Sequence, residues 1–204
     1  MIETLISFII ATLALAVSPG PDNIFVLTQS MVNGRKFGLA TVYGLMTGCI
    51  IHTSLVAFGV SEVLKRNENL FFVIKLLGAG YLLYLAFLVF KSNSEIAFST
   101  GNVQQKTTGQ LFKTGFWMNV LNPKVTIFFL AFFPQFLFST ELSTVIQFYV
   151  LGGLFIVTSF IVFSTIAILA GSIVDYTKKN KKAGVFFKWL QIIVFTGIAG
   201  LILV

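Results

Sequence analysis

Two charged residues stand beside breaks in apolar stretches, where a charge is expensive. Asp22 is the only acidic residue well inside an apolar stretch, and Lys124 sits at the edge of a second one. An Asp or Lys at the centre of a membrane-spanning helix costs roughly 2.5–3.5 kcal/mol on insertion scales, so each calls for a use. A carboxylate can hold an ammonium group or a proton, and a lysine can hold a carboxylate. Asp22 and Lys124 could therefore pair with one another, or face the two ends of a zwitterion. The plainer alternative is that Asp22 caps a half-helix and Lys124 snorkels to the interface. His52, the only histidine, is the other residue able to exchange protons near neutral pH, so Asp22 and His52 are the proton-coupling candidates. His52 shares a helical face with Thr41, Gly44, Gly48 and Gly59, which points it into a helix bundle, where it could equally hydrogen-bond a neighbouring helix. Gly44 and Gly48 form a GxxxG packing motif.

The local sequence around each charge explains how it could be presented. Asp22 lies in Ser18-Pro19-Gly20-Pro21-Asp22-Asn23 and Lys124 in Asn119-Val120-Leu121-Asn122-Pro123-Lys124. Proline removes a helical hydrogen bond and clashes with the preceding turn, and two prolines around a glycine should unwind about one turn. Irregular backbone at membrane depth is tolerated only where it is buried in protein or lines a wet cavity. Pro21 suits the first position of a new half-helix, with Asp22 and Asn23 in its first turn. Asn122 suits an N-cap, with Pro123 at the first helical position. Free N–H groups at such starts favour an anion such as a carboxylate. Asn119, three residues before Asn122, could join the same polar cluster. Interrupted hydrophobic segments at matching places in two halves of a chain point to a transporter's substrate site.

The elements that must carry these breaks follow from composition. The chain has 204 residues, of which 56% are hydrophobic and 10% charged, with a mean hydropathy of +0.93. Soluble domains carry about 25% charged residues, so this chain needs a bilayer. Stretches 3–27, 38–60, 69–91, 111–137, 146–171 and 185–204 each approach the roughly 20 apolar residues of a spanning helix. The expected fold is an all-α integral membrane protein of six transmembrane helices, with helices 1 and 4 broken. It is read as a single transporter domain: half 1 at about 1–91, a polar linker at about 92–110, half 2 at about 111–204. Three helices per half make any repeat inverted.

The net charge of +7 lies in short loops and reads as a topology signal, not as a nucleic-acid surface. Ten basic residues fall in loops 1–2, 3–4 and 5–6, against two on the opposite side. This bias places those three loops in the cytoplasm and both termini outside. The cluster at 178–182 could also touch anionic headgroups. The single cysteine, Cys49, excludes an internal disulfide, a CxxC pair and a Cys-rich metal site. With one acid inside the spans, a hard-metal site is disfavoured. Neither a metal nor a cofactor is called for. An intramembrane serine protease would need an activated Ser–His pair, and no Gly-x-Ser-Gly segment accompanies His52. A six-span carrier of another small solute or ion remains the alternative.

Taken together, Ser18 to Asp22, the stretch Leu77-Gly78-Ala79-Gly80-Tyr81-Leu82-Leu83-Tyr84-Leu85, Gly115-Phe116, Asn119, Leu121-Asn122-Pro123-Lys124 and Phe133-Pro134-Gln135-Phe136 resemble the LysE/RhtB-type amino-acid exporter family. The resemblance covers nearly the whole chain. It implies a multi-pass inner-membrane exporter that expels an amino acid (neutral, homoserine- or threonine-like, or lysine) in exchange for protons. Its partners would be that substrate, protons and membrane lipid, with a homo-oligomer left open. The expected substrate-binding residues are Ser18, Pro19, Gly20, Pro21, Asp22, Asn23, Asn119, Asn122, Pro123 and Lys124. A protonatable Asp22 would couple proton entry to solute exit as the protein rocks between inward- and outward-open states.

Overall fold

The computed structural model describes residues 1–66, 68–92 and 106–203. Most of the linker expected at 92–110 lies outside them. Every regular element among the described residues is helical. Four helices are long and apolar enough to cross a membrane alone, and six spans result when each of two bent pairs is counted as one.

The bent pairs are the two proline-broken segments. Helix α1 (Ile2–Val17) is followed by α2 (Pro21–Val32) at an angle of 59°. Helix α6 (Thr108–Val120) is followed at 49° by α7 (Pro123–Ile127), which winds on through a π turn (Phe128–Phe132) and a 3₁₀ turn (Phe133–Phe136). Between them run α3 (Arg35–Leu55), extended by a π turn (Val56–Val60) into α4 (Ser61–Arg66), and then α5 (Glu68–Lys91). The chain closes with α8 (Thr144–Ile168), α9 (Ala170–Lys179) and α10 (Lys181–Leu203). α6 starts at a capping box, where Thr107 Oγ1 accepts from the Gln110 N–H and the Gln110 side chain accepts from the Thr107 N–H at 2.9 Å. That pairing satisfies two of the donors a helix start leaves open.

Three of the boundaries that differ from the hydropathy reading have a clear physical reason. The first span runs on past residue 27 to Val32, because the polar residues Gln29 and Ser30 turn inward and are buried. The fifth span stops at Ile168, where Leu169 leaves helical geometry and α9 starts afresh. That short helix occupies part of the expected loop, and its Ala170 and Val174 pack under Leu27 of α2. The sixth span begins at Lys181, so the basic cluster there extends the helix.

Burial inside lipid gains little from hydrophobicity, so close approach and dispersion must hold the bundle. α3 and α6 meet backbone to backbone. A Cβ on Gly44 would collide with the Phe112 carbonyl, and one on Gly115 with the Thr41 carbonyl. Gly152 of α8 receives the Thr53 side chain of α3. α1 and α2 pack on α8, while α5 pairs with α10 at the periphery. Around the π turn after α7 lies an aromatic core in which Phe129 stacks on Phe133 at 4.0 Å, Phe8 meets Phe133 at 5.0 Å and Phe155 meets Phe129 at 4.9 Å. Leu77, Phe87, Val157 and Ile193 stand exposed on the outside, as lipid-facing side chains do. Trp117, Trp189 and Tyr176 are also exposed.

Candidate functional site

The site forms where the two breaks face one another. Pro19 and Pro21 have no N–H to offer the carbonyls of Leu15 and Val17, so α1 ends with Ser18 N–H bonded to the Ala14 carbonyl at 3.0 Å. The freed carbonyl of Ala16 is taken by Asn23, whose Nδ2 donates to it at 2.7 Å. Gly20 is fully extended and caps α2, which begins at Pro21 as expected, with Asp22 and Asn23 in its first turn.

The second break follows the same logic with different side chains. Pro123 cannot donate to the Asn119 carbonyl. That carbonyl instead accepts from the Asn122 N–H at 3.0 Å and faces His52 Nε2 at 3.1 Å. His52 is buried, lies against the Phe129 ring and makes no contact with either charge. Asn122 caps α7, its Oδ1 accepting from the Lys124 N–H at 3.0 Å.

Side chains then cross between the breaks. Asn122 Nδ2 donates to Asp22 Oδ2 at 2.8 Å. Lys124 reaches the first break, where its Nζ lies 3.7 Å from the position a Cβ would take on Gly20, and stands 4.9 Å from the centre of the Phe195 ring. Asp22 and Lys124 thus share one site, but through separate contacts rather than as an ion pair. Asp22 is 9% exposed, with a neutral amide as its hydrogen-bonding partner.

These groups line a small, partly open cavity with about 40 Å³ of free space, room for about three water molecules and less than an amino acid needs. Gly20, Pro21, Asp22, Asn23, Asn119, Asn122 and Lys124 all line it. Three sequence candidates do not. Ser18 is buried at the end of α1, Pro19 faces an apolar groove toward α8 and α9, and Pro123 is exposed. His52 stands behind Asn119.

Sequence reasoning missed Ser159, which lines the cavity from α8 together with Phe155 and Phe163. It lies two helical turns from Gly152, the residue that brings α8 against α3. A small polar residue in register with that glycine was the available signal. Cys49 also reaches the cavity, accepting from Asn119 Nδ2 at 3.4 Å.

Comparison with known proteins identifies the family. The family model for LysE type translocators matches residues 13–204. A homoserine/homoserine lactone efflux protein of Salmonella typhimurium is 31% identical over 176 residues, covering 86% of this chain and 84% of the relative. A protein of the same description from Salmonella typhi is 32% identical over the same length, with the same coverage. No solved structure matches. Two proline-broken helices that meet through an asparagine, an aspartate and a lysine thus sit inside the matched region, and the chain belongs to the LysE-type translocator family of multi-pass membrane proteins.

Proposed function

We propose that this chain exports an amino acid or a close derivative from the cell by exchange with protons. The observation that carries this reading is the cavity at the two breaks, with one acid and one base held apart inside it. A zwitterion carries the complementary pair. Its ammonium would replace the Asn122 amide at Asp22, and its carboxylate would lie by Lys124 and the starts of α2 and α7, where N–H groups and helix dipoles favour an anion. The relatives' activity on homoserine and its lactone supports a small amino acid as the solute.

Coupling would run through Asp22. Ionised, it holds the solute's ammonium; protonated, it releases it. A proton taken from outside and given up inside then drives the solute outward. His52 is the second candidate, reaching the cavity only through the Asn119 carbonyl. A cavity of this size must widen to admit a solute, which fits alternating access. An inverted repeat is supported by the packing pattern. Each broken segment packs on the second helix of the other half, α6 on α3 and α1 with α2 on α8; the two second helices, α3 and α8, meet, as do the two third helices, α5 and α10. The basic loops favour an inner-membrane topology with both termini outside.

The test is counterflow of labelled amino acids in vesicles reconstituted with the protein, beside Asp22→Asn and Lys124→Gln. Each substitution is expected to cut exchange at least tenfold at equal protein content. Unaltered exchange in both variants overturns the site.

A further inference from the structure

Beside the two charges and the capping amides, the cavity is lined by polar residues with no assigned use. Ser159 is 1% exposed and Asn119 4%. Ser159 Oγ and Asn119 Oδ1 are fully buried and neither has a hydrogen-bond partner. Both residues line the cavity. Hydroxyls in buried helices usually bond back to the carbonyl four residues earlier, as Thr53, Thr126 and Thr165 do here. Ser159 does not.

Asn119 is fixed from behind by three residues of α3. Gly48 leaves the space its side chain fills, a Cβ there falling 2.7 Å from Oδ1. Cys49 accepts from its Nδ2, and His52 faces its carbonyl. Leaving a buried acceptor unmet is costly, so an oxygen held in that state beside a cavity calls for a donor from whatever enters. The two oxygens are also complementary in kind. An amide oxygen only accepts, while a serine hydroxyl can donate.

We infer that Ser159 and Asn119 form the specificity end of this cavity and select amino acids whose side chain carries a hydroxyl, with Asn119 Oδ1 accepting from that hydroxyl and Ser159 donating to it. A methyl group of the same size can do neither. A side-chain ammonium could donate to either oxygen but offers no lone pair to the Ser159 proton. This assignment rests on the cavity being the solute site. It adds how one side chain is told from another, which Asp22 and Lys124 cannot do because every amino acid presents the same two charges.

The experiment is competitive counterflow with near-isosteric pairs, threonine against valine and homoserine against norvaline, in vesicles carrying the wild-type chain, Ser159→Ala or Ser159→Cys. The wild type should prefer the hydroxylated member roughly ten- to hundredfold. Ser159→Ala should bring that ratio to within about threefold while transport of valine and norvaline persists, which also reports a folded carrier. Ser159→Cys, a weak donor of similar size, should fall between them and stands in should the alanine variant not fold. No preference in the wild type, an unchanged ratio in the variants, or an equal loss for both members of each pair overturns the assignment. If the wild type moves none of the four solutes, the exporter reading itself fails, a result distinct from lost discrimination.

Discussion

The hydrogen bond from Asn122 to Asp22 joins the two broken segments, and a double-mutant cycle can weigh it. Asn122→Ala removes two contacts: the cap on the Lys124 N–H and the donor to Asp22. Loss of the cap costs about 1 kcal/mol. The bond to Asp22 is worth about 1.5–3 kcal/mol if the carboxyl is ionised, so Asn122→Ala alone should destabilise by about 2.5–4 kcal/mol. The cap is lost equally whether or not Asp22 is present, so it cancels when Asp22→Ala and the double variant complete the cycle. What remains is the pair. Neutral interhelical hydrogen bonds in a membrane bundle average about 0.6 kcal/mol, which separates the two states of the acid. Equilibrium unfolding in mixed micelles at neutral pH should give a coupling of about 1.5–3 kcal/mol. A coupling within the additivity error of about 0.3–0.5 kcal/mol would refute the bridge. A value near the neutral average would refute an ionised Asp22, and with it the exchange of proton for ammonium.

Further outcomes can be checked alongside. Gly44→Ala puts a methyl into the Phe112 carbonyl and should cost about 1–3 kcal/mol through overpacking, whereas Gly153→Ala, with open space around it, should be neutral or stabilising by up to about 1 kcal/mol; melting of the two purified variants compares them directly. His52→Ala removes the side-chain donor from the Asn119 carbonyl and should destabilise by about 1–3 kcal/mol. If hydrogen bonding is its role, His52→Gln should recover part of that loss in the same unfolding assay, with the pH profile of transport unchanged. Single cysteines placed at Lys36 and Lys182 in a Cys49→Ser background should resist an impermeant maleimide in intact cells, while one at Glu141 reacts; the reverse pattern would invert the topology.

Much of the site was legible because proline and glycine act locally. Pro21 and Pro123 must start helices, so Asp22, Asn23 and Lys124 fall into first turns whatever the tertiary fold. The hydropathy pattern located the spans for the same reason, since each must meet the bilayer alone. What could not be read depends on contacts between distant segments. Asn122 and Asp22 are a hundred residues apart, and no local rule says that the amide, rather than Lys124, takes the carboxylate. Ser159 was hidden in an apolar run, where a serine that bonds its own helix and one that faces a cavity look alike. α9 escaped because its basic end resembles a loop, and its packing on Leu27 and against α8 and α10 marks it as packed helix.

The glycine contacts between α3 and α6 also constrain how the protein can move. With carbonyls of each helix filling the space a side chain would take on the other, there is no rotamer that could yield and let them slide. Such a seam behaves as a weld. α3 and α6 carry Asn119 and the groups that fix it, so that wall of the cavity travels as one rigid plate. If the cavity opens as proposed, the opposite wall is where it can yield: among the described residues α1, α2 and α8 meet there without a backbone-to-backbone seam of that kind, and Gly20 and the two prolines beside it interrupt the helical hydrogen bonding at the bend.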